Sequence, residues 1–456
     1  MKHQILSDAL NEIDDRNLNR VFRPARRILH LSSLAALLAI VILALSFAQP
    51  LALRASAIAQ APEPRISDRN QVSMDVWREE RTHRSDATAA ALNSLTPFFT
   101  DASIEFLSDT QNNTLWSPAN AAIGLSMLAE VTDGSTQSQL MELLGTQDPQ
   151  SLREQISALW ESVYYQEGKE ISTLANSLWL DKRLTYREEA INALSYHYYA
   201  SIYRDDLGTA RVNKAIGNWL NSNTGGLLKS AADSIELPKD AVLALYSTLF
   251  IQSKWTDEFN ASKNTNAPFY APSGTRTVTY MNRSLAQMNY YWGDTYGAIS
   301  LSLKNGCRMW FILPDEGLST TDVLQDGQYM HMLLTNSWDN TKYMKVNLSI
   351  PKFDVSQSRD LRPGLEKLGI TEIFTLYDAD FIAITSDTPV YITAANQAVR
   401  VQIDEQGVKA AAYIEFPGAG AAAPPEEIID FILNRPFLFA ITGDGVPLIT
   451  GVVNEP

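Results

Sequence analysis

The sequence predicts an α+β fold built around a large, mostly antiparallel sheet. Segments with apolar residues at helical spacing concentrate in the first half of the folded region, and segments with strand character dominate its second half. The two kinds of segment do not alternate as they do in a parallel βαβ sheet. With 45% hydrophobic and 20% charged residues among 456, the chain has the composition of a globular protein, and its length allows one large domain with additional segments.

The helices are predicted from this spacing and from the signals at their ends. Apolar residues recur at helical spacing within residues 91–109. A second helix should begin at Ser117-Pro118, a favourable start, and end before Asp133-Gly134. A third should end at Gly145, since glycine suits a helix C-terminus. Further helices are predicted at residues 150–165, 187–200, 211–223 and 360–370.

Strands are predicted mainly after residue 240, where runs rich in β-branched and aromatic residues are separated by turn signals. Helices that come first and strands that come later favour an antiparallel sheet over a parallel one. The predicted strands are residues 171–180, 241–253, 276–282, 297–304, 307–313, 343–354, 390–404 and 436–453.

Residues 28–53 are predicted to span a membrane. They contain no charged residue when His30 is neutral, and they exceed the ~20 apolar residues that a bilayer requires. By the positive-inside rule, the arginines directly before them predict that residues 1–27 are cytoplasmic and that the rest of the chain is extracellular. These arginines are Arg20, Arg23, Arg26 and Arg27.

A cleaved signal peptide is the alternative, and it would make the protein secreted. The 27 residues before the apolar segment are longer than the usual charged front of a signal peptide, so we favour a retained single-pass anchor in the cell membrane. Residues 54–88 are polar, contain two prolines and are predicted to form a linker. The folded domain would then comprise residues 89–456.

Several classes of function are disfavoured. A net charge of -15 argues against binding of nucleic acid, which normally requires a basic surface. The single cysteine, Cys307, excludes an intrachain disulfide. The chain has no HExxH, GxSxG, GxGxxG or P-loop motif. We therefore expect no metal site, no cofactor, no nucleic-acid partner and no catalytic residues, so the protein should not be an enzyme.

The most informative segment is DEQGVKAAAYIEFPGAGAAAPPEE, residues 404–427, which lies between two predicted strands. From residue 408 every second residue is apolar, whereas the intervening residues include two charges. Side chains of a strand alternate between its faces, so this pattern predicts a segment that can become a strand in a sheet with one buried face. The apolar set is Val408, Ala410, Ala412, Ile414 and Phe416, and the other set is Lys409, Ala411, Tyr413, Glu415 and Pro417.

Several segments of the chain resemble those of the serpin family. The similar segments follow the family's order, cover residues 89–456 and include LWSPANAAIGLSMLAEVTDGSTQSQLMELLG, LALYSTLFIQSKWTDEFN, MWFILPDEG, VNLSIPKFDV, LEKLGITEIF, NRPFLFAI and ITGVVNEP. The resemblance implies a serpin fold in which an exposed reactive loop, about residues 405–430, is offered to a serine or cysteine protease. After cleavage the loop inserts into the main sheet and the protease is trapped, so such a protein is a single-use inhibitor.

The resemblance also assigns residues to the loop. The hinge comprises Glu405, Gly407, Val408, Ala410, Ala411 and Ala412. Here Gly407 would provide the turn, because glycine tolerates unusual dihedral angles. The family's spacing from hinge to cleavage site predicts a reactive bond at Ala421-Ala422, within the range 418–423. The small residues around that bond suit a protease of elastase or subtilisin type.

The family further implies a region where the main sheet opens. Its residues in this chain would be Ser117, Asn120, Ser247, Lys254, Trp255 and Asn396. The anchor and the lack of disulfides would suit a bacterial-type, membrane-anchored monomer. A non-inhibitory serpin fold, used for binding or as a chaperone-like module, is the main alternative. Tyr413 and Pro417-Gly418 favour it, because proline removes a hydrogen-bond donor from a central strand. A secreted hydrolase is disfavoured by the missing motifs.

Overall fold

The computed structural model describes residues 56–65, 73–335, 337–338, 340–408 and 427–456. The predicted cytoplasmic segment and membrane span lie outside the described residues, as does most of the predicted reactive loop. Among the helices that are described, none combines the length and apolar character of a membrane span.

The helices agree with the sequence-based prediction, and Pro118 opens the second of them at its N-terminus. Three further helices, α7, α8 and α9, were not predicted. In chain order the helices are α1 (Met74–Leu107), α2 (Pro118–Val131), α3 (Gly134–Leu143), α4 (Pro149–Val163), α5 (Glu188–His197), α6 (Ala210–Asn223), α7 (Lys229–Asp233), α8 (Thr320–Asp326), α9 (Gln328–Thr335) and α10 (Arg362–Lys367).

The strands form two large sheets, which confirms the α+β class. The first, here called the main sheet, has the order β1-β5-β4-β6-β14-β13-β12, with β3 paired to β4. It is antiparallel except for the pair of β4 and β5. Its strands are β1 (Ala57–Ala59), β3 (Tyr165–Glu167), β4 (Glu170–Asp181), β5 (Ala200–Asp205), β6 (Leu243–Lys254), β12 (Phe353–Asp360), β13 (Asn396–Ile403) and β14 (Gly407–Val408).

The second sheet has the order β15-β11-β8-β9-β10-β16-β17-β2, with β7 paired to β8. The predicted strand at 343–354 is divided between β11 in this sheet and β12 in the main sheet. The remaining strands are β2 (Thr114–Trp116), β7 (Thr265–Ala271), β8 (Gly274–Trp292), β9 (Tyr296–Ser302), β10 (Arg308–Pro314), β11 (Thr341–Pro351), β15 (Ile428–Ile432), β16 (Phe437–Gly443) and β17 (Val446–Val453).

The two faces of β6 are covered by different parts of the chain. Asn120 of α2 donates to Ser247 on one face. On the other face, Gly225 approaches Phe250 so closely that an added Cβ would lie 2.5 Å from the ring. Odd- and even-numbered residues of a strand point to opposite sides. The main sheet is therefore covered by α2 on its inner face and by the segment that joins α6 to α7 on its outer face.

The predicted linker at 54–88 is wrong as a description of residues 57–59 and 74–88. Residues 57–59 form β1, which pairs with β5 and is the edge strand of the main sheet. Residues from Met74 onward belong to α1, whose N-cap Ser73 accepts a hydrogen bond from the Val76 amide. The polar composition concealed both elements, because β1 has only three residues and the first turns of α1 have no apolar stripe.

Arg65 fastens the segment that follows β1 to the domain. Its Nε donates to the Tyr199 hydroxyl at 2.8 Å and lies 3.1 Å from a carboxylate oxygen of Glu161. Its guanidinium also lies 4.5 Å from the ring centroid of Tyr196. The Gln60 carbonyl accepts a hydrogen bond from Ser195 nearby. These contacts give the N-terminal segment a defined position on α5 and β5.

Replacing Arg65 should therefore destabilise this edge of the main sheet. We expect Arg65→Ala to lower the free energy of unfolding by about 1–2 kcal/mol, because a charge-assisted hydrogen bond and a cation–π contact are both lost. Arg65→Lys should recover only part of this loss, since an ammonium group lacks the planar fork of arginine. Urea denaturation of the three proteins measures the difference, and equal midpoints for wild type and Arg65→Ala would contradict it.

Candidate functional site

The main sheet has a gap between β6 and β13. Only the two residues of β14 join these strands: Gly407 pairs with Lys254, and Val408 pairs with Ser253 on one side and Ile403 on the other. Within the described residues, no further pair links β6 to β13. A cavity of about 870 Å³, lined by both strands and by α2, occupies the region beyond Val408.

The inner half of the gap is apolar near β14 and becomes polar with distance from it. Ile251 of β6 and Val401 of β13 are buried on this face, and Val399 follows along β13. Further along the two strands, the facing side chains are Ser247 and Gln397, and both line the cavity. Val408 is itself only 5% exposed and belongs to the same face.

The outer half of the gap is covered by protein around Thr248. Thr248 of β6 is 2% exposed although it points away from the inner face. Leu227 and Leu228, in the segment between α6 and α7, line the cavity beside it. Tyr246 lies on the same outer face, and burial raises its pKa to about 12. A side chain that enters the gap opposite Thr248 would therefore meet an apolar wall.

A chain of polar side chains runs below the inner face. Asn120 Nδ2 donates to Ser247 Oγ at 2.9 Å, and Ser247 Oγ donates to Asn176 Oδ1 at 2.6 Å. Asn176 Nδ2 then donates to the Tyr198 carbonyl at 2.6 Å. Asn120 and Ser247, both predicted for the sheet-opening region, are in direct contact. Asn176 was not predicted, and it is the residue that carries the network from β6 to β4.

The predicted residue on β13 is off by one position. Asn396 is exposed, whereas Gln397 is buried and points toward α2. Gln397 Oε1 accepts from the Ser117 amide at 2.9 Å, and its Nε2 donates to the Ser117 carbonyl at 3.1 Å. The sequence of β13 could have identified Gln397. Val399, Val401 and Ile403 alternate with polar neighbours, and this alternation places residue 397 on the same buried face.

The hinge end of the gap is built on Trp255, which is 1% exposed. Its indole Nε1 donates to the Asp404 carbonyl at 2.9 Å, and its amide donates to the Gln406 carbonyl at 2.9 Å. The neighbouring Lys254 is exposed and pairs with Glu258 at 2.7 Å. Trp255 and Lys254 were predicted together with Ser117 and Asn120, but they lie with the hinge residues at the end of β6 that pairs with β14.

Glu405 links the hinge to residues outside the main sheet. Lys352 Nζ lies 2.9 Å from its carboxylate, and Asn264 also donates to that group. The hydrogen bond from Lys352 holds the pKa of Glu405 below its usual value. The Glu405 carbonyl accepts from the Phe259 amide at 2.9 Å. Both the side chain and the backbone of Glu405 are thus fixed.

Gly407 is required for a different reason from the one predicted. It is absent from the described glycines that have positive φ, so no left-handed turn depends on it. Instead, a Cβ at this position would lie 2.0 Å from the Ser253 carbonyl oxygen and 2.5 Å from the Cα of Lys254. The hinge therefore needs glycine because its backbone approaches β6 too closely for any side chain.

Several predicted residues cannot be located. The hinge residues Ala410, Ala411 and Ala412 lie outside the described residues, and so does the predicted reactive bond Ala421-Ala422. The chain is described again from Glu427, whose carboxylate lies 2.6 Å from Lys342 Nζ. Among the described residues no group of three His, Cys, Asp or Glu side chains could hold a metal ion.

This architecture matches a known family. The family model described as "Serpin (serine protease inhibitor)" matches residues 98–456. That is more than three quarters of the chain, so the protein belongs to the serpin family and the prediction of a serpin fold is confirmed. Members of this family are generally protease inhibitors rather than enzymes, so the prediction that the chain is not an enzyme is confirmed.

The chain aligns with its curated relatives over most of their length. An alpha-1-antitrypsin-like protein of Ictidomys tridecemlineatus is 27% identical over 353 residues, covering 75% of this chain and 83% of the relative. A serpin of Triticum aestivum is 26% identical over 361 residues, covering 76% of this chain and 90% of the relative. Both come from eukaryotes and give no support to the expected bacterial type.

Solved structures support the fold. Tengpin, a thermophilic serpin, superposes in its native state with a TM-score of 0.70 at 22% identity, covering 88% of this chain and 100% of the tengpin chain. Tengpin in its latent state gives a TM-score of 0.67 at 23% identity, with 79% of this chain and 96% of the tengpin chain covered. A complex of thyroxine-binding globulin with thyroxine gives 0.63 at 21% identity, with 80% and 98% covered.

Proposed function

We propose that this protein is a suicide-substrate inhibitor of a serine protease whose primary pocket accepts small side chains. The observation that carries the proposal is the gap between β6 and β13, which begins at β14 and whose inner face is apolar near β14. The residues that would fill it follow directly in the chain. After cleavage near Ala421-Ala422, residues beyond Val408 would enter the gap and draw the acylated protease along the sheet.

The register of β14 specifies the neighbours of each inserted residue. Val408 is opposite Ser253 and Ile403, and extending this antiparallel register brings residue 410 between Ile251 and Val401. Residue 412 falls between Leu249 and Val399, and residue 414 falls between Ser247 and Gln397. Directly opposite residues share a face. The apolar residues of the loop would therefore all point to the inner face of the main sheet. This agreement is independent evidence, because the alternation of the loop and the faces of β6 and β13 come from separate parts of the sequence.

The expected gain in stability is large enough to drive such a movement. Each new ladder hydrogen bond contributes about 1 kcal/mol, and each buried large side chain about 1.5–3 kcal/mol. Over ten inserted residues these terms reach on the order of ten kcal/mol. The uncut loop is held at its far end because it continues into β15. Cleavage after residue 421 frees that end, so the residues beyond Val408 can enter the gap and form these contacts.

The residues of the cleavage segment favour a shallow primary pocket. Residues 418–423 read GAGAAA, and no lysine or arginine occurs between Ala410 and Pro425. An elastase- or subtilisin-like protease suits this segment, whereas a trypsin-like enzyme would find no basic residue. Cysteine proteases that accept alanine are the secondary target class.

We also propose residues 28–53 as a single-pass membrane anchor, with residues 1–27 in the cytoplasm and a monomeric inhibitor domain outside. The uncharged segment and its preceding arginines support this. Retention of the full-length chain in the membrane pellet after alkaline extraction would support the anchor. Recovery of a shortened, soluble chain would instead indicate a cleaved signal peptide and a secreted protein.

The inhibitor proposal is tested by incubating the full-length protein, in mild detergent, with subtilisin or pancreatic elastase. We expect an adduct that survives SDS, and sequencing of the released peptide identifies the reactive bond. Cleavage without an adduct, together with an unchanged melting temperature, would contradict both inhibition and insertion.

A non-inhibitory binding module is the alternative, and Pro417 is the residue that favours it. Extending the register brings Pro417 opposite Ala244 of β6, where a central strand would lack one hydrogen-bond donor. Among the similar structures, thyroxine-binding globulin is in complex with thyroxine. A rise in melting temperature after cleavage, but without an adduct, would favour this alternative over inhibition.

Tyr413 provides a prediction specific to this chain. The register brings it opposite Thr248, on the outer face that is walled by Leu227 and Leu228. An inserted Tyr413 would therefore pack against this wall. We expect Tyr413→Ala to reduce the stability of the cleaved form by about 3–5 kcal/mol, the usual cost of truncating a buried aromatic residue.

Differential scanning calorimetry of the cleaved proteins measures this effect. The uncleaved proteins should melt alike, because the contact exists only after insertion. Lys409→Ala is the matched control, since residue 409 would lie opposite Gln252 near the hinge, away from the wall. Equal melting temperatures for cleaved wild type and cleaved Tyr413→Ala would show that the outer wall does not receive Tyr413.

A further inference from the structure

The strand that follows the reactive loop, β15, lies at the edge of the second sheet. It pairs in parallel with β11, and no strand in the described part of the chain pairs with its other side. The Lys345 amide donates to the Glu427 carbonyl, and the Leu433 amide donates to the Ser349 carbonyl. Alternate residues of a strand direct their backbone groups to opposite sides. Ile428 and Asp430 therefore direct theirs away from β11.

The exposed face of β15 is apolar at both ends. Ile428 is 57% exposed and Ile432 is 41% exposed, and they flank Asp430 on the same face. Exposed Tyr343 of β11 lies two residues before Lys345, the partner of Ile428, and extends this surface. Edge strands are normally protected by lysine, proline or a bulge, because an apolar free edge favours association with other chains. The only charge among residues 428–432 is Asp430, so this edge lacks that protection.

The position of β15 along the chain selects its partner. Ile428 lies six positions after Ala422 in the sequence. At ~3.3–3.6 Å per residue, the cleavage site lies within roughly 20 Å of Ile428. A stable protein–protein contact of about 800 Å² per partner extends about 16 Å from its centre. A protease engaged at the loop therefore brings its surface to the edge of β15.

We propose that β15, through Ile428 and Ile432, is an auxiliary docking surface for the target protease. It would contact an apolar region beside the leaving-group side of the protease's substrate cleft. This inference rests on the proposed function, since it assumes that the loop is a protease substrate. The surface accelerates binding of the protease to the loop. It also helps to distinguish one protease from another, because the alanines and glycines of the cleavage segment offer few distinctive side chains.

The test compares the second-order rate constant for loop cleavage in wild type and in the double variant Ile428→Lys/Ile432→Lys. Subtilisin and pancreatic elastase serve as probes, and the full-length proteins are used. We expect the double variant to react about tenfold more slowly with at least one probe. Ile382→Lys is the matched control: Ile382 is also an exposed isoleucine, but it lies in a segment adjacent to α3. Its rate should equal that of wild type.

The outcomes distinguish this inference from the proposed function. Loop cleavage is measured whether or not the protease is trapped, so a missing SDS-stable adduct bears only on inhibition. Equal cleavage rates for wild type and the double variant with both probes overturn the docking surface and leave inhibition intact. A wild-type dimer that the double variant converts to a monomer, with unchanged rates, assigns the edge to a second copy and also overturns it. Ile428→Thr/Ile432→Thr replaces the lysine variant if the latter does not fold.

Discussion

Ala412→Glu is expected to abolish inhibition, whereas Ala411→Glu should leave it largely intact. The register of β14 brings residue 412 between Leu249 and Val399 on the inner face, where a carboxylate would be buried without a partner. Such burial costs several kcal/mol. Residue 411 falls on the outer face beside Arg400, which already pairs with Asp354 at 2.7 Å. The carboxylate introduced by Ala411→Glu could therefore pair with the Arg400 guanidinium.

Both variants add the same charge to adjacent positions of the same loop, so the comparison isolates the face on which the charge would lie. After reaction with subtilisin, Ala412→Glu should yield only cleaved protein, with little rise in melting temperature. Ala411→Glu should still form an SDS-stable adduct and show the rise. An equal adduct yield from the two variants would refute the register, because the two faces would then be equivalent.

Trp255→Ala should have the largest effect on the uncleaved protein. The indole is fully buried against Phe259, and its Nε1 holds the Asp404 carbonyl at the start of the hinge. Truncating a buried aromatic residue typically costs about 3–5 kcal/mol. The free energy of unfolding, measured in urea, should fall by about this amount.

Trp255→Phe separates packing from hydrogen bonding, because it retains an aromatic ring and removes the donor. We expect an intermediate loss of about 1–2 kcal/mol, and faster proteolysis near residue 405 as the hinge loses its anchor. If Trp255→Phe were as stable as wild type, the hydrogen bond to Asp404 would contribute nothing to the hinge.

Much of the fold could be predicted because the apolar residues repeat with clear periods. The boundaries of α2, β4 and β6 agree with the sequence-based ranges to within two or three residues. The N-terminal additions could not be predicted in the same way. Residues 57–59 are too few to show a period, and β1 is stabilised by its pairing with β5, which is distant in sequence.

The candidate site shows a similar division. The family resemblance assigned Asn120 and Ser247 to the sheet-opening region, and the structure adds their contact. The alternation of the loop was read directly from the residues. Gln397 was missed although the phase of β13 contained it. Gly407 illustrates a limit of sequence alone, because a glycine required by a close backbone approach looks identical to one required by a left-handed turn.

The short strand β14 has a kinetic consequence. Forming the first pairs of a new strand is usually the slow part of strand addition, since chain ends must be brought together before any contact is gained. Here Val408 is already paired on both sides, and Gly407 is paired with Lys254 of β6. Insertion would then proceed as elongation from an existing nucleus. Its competitor is hydrolysis of the acyl-enzyme, so the fraction of protease trapped should depend on elongation rate rather than on nucleation.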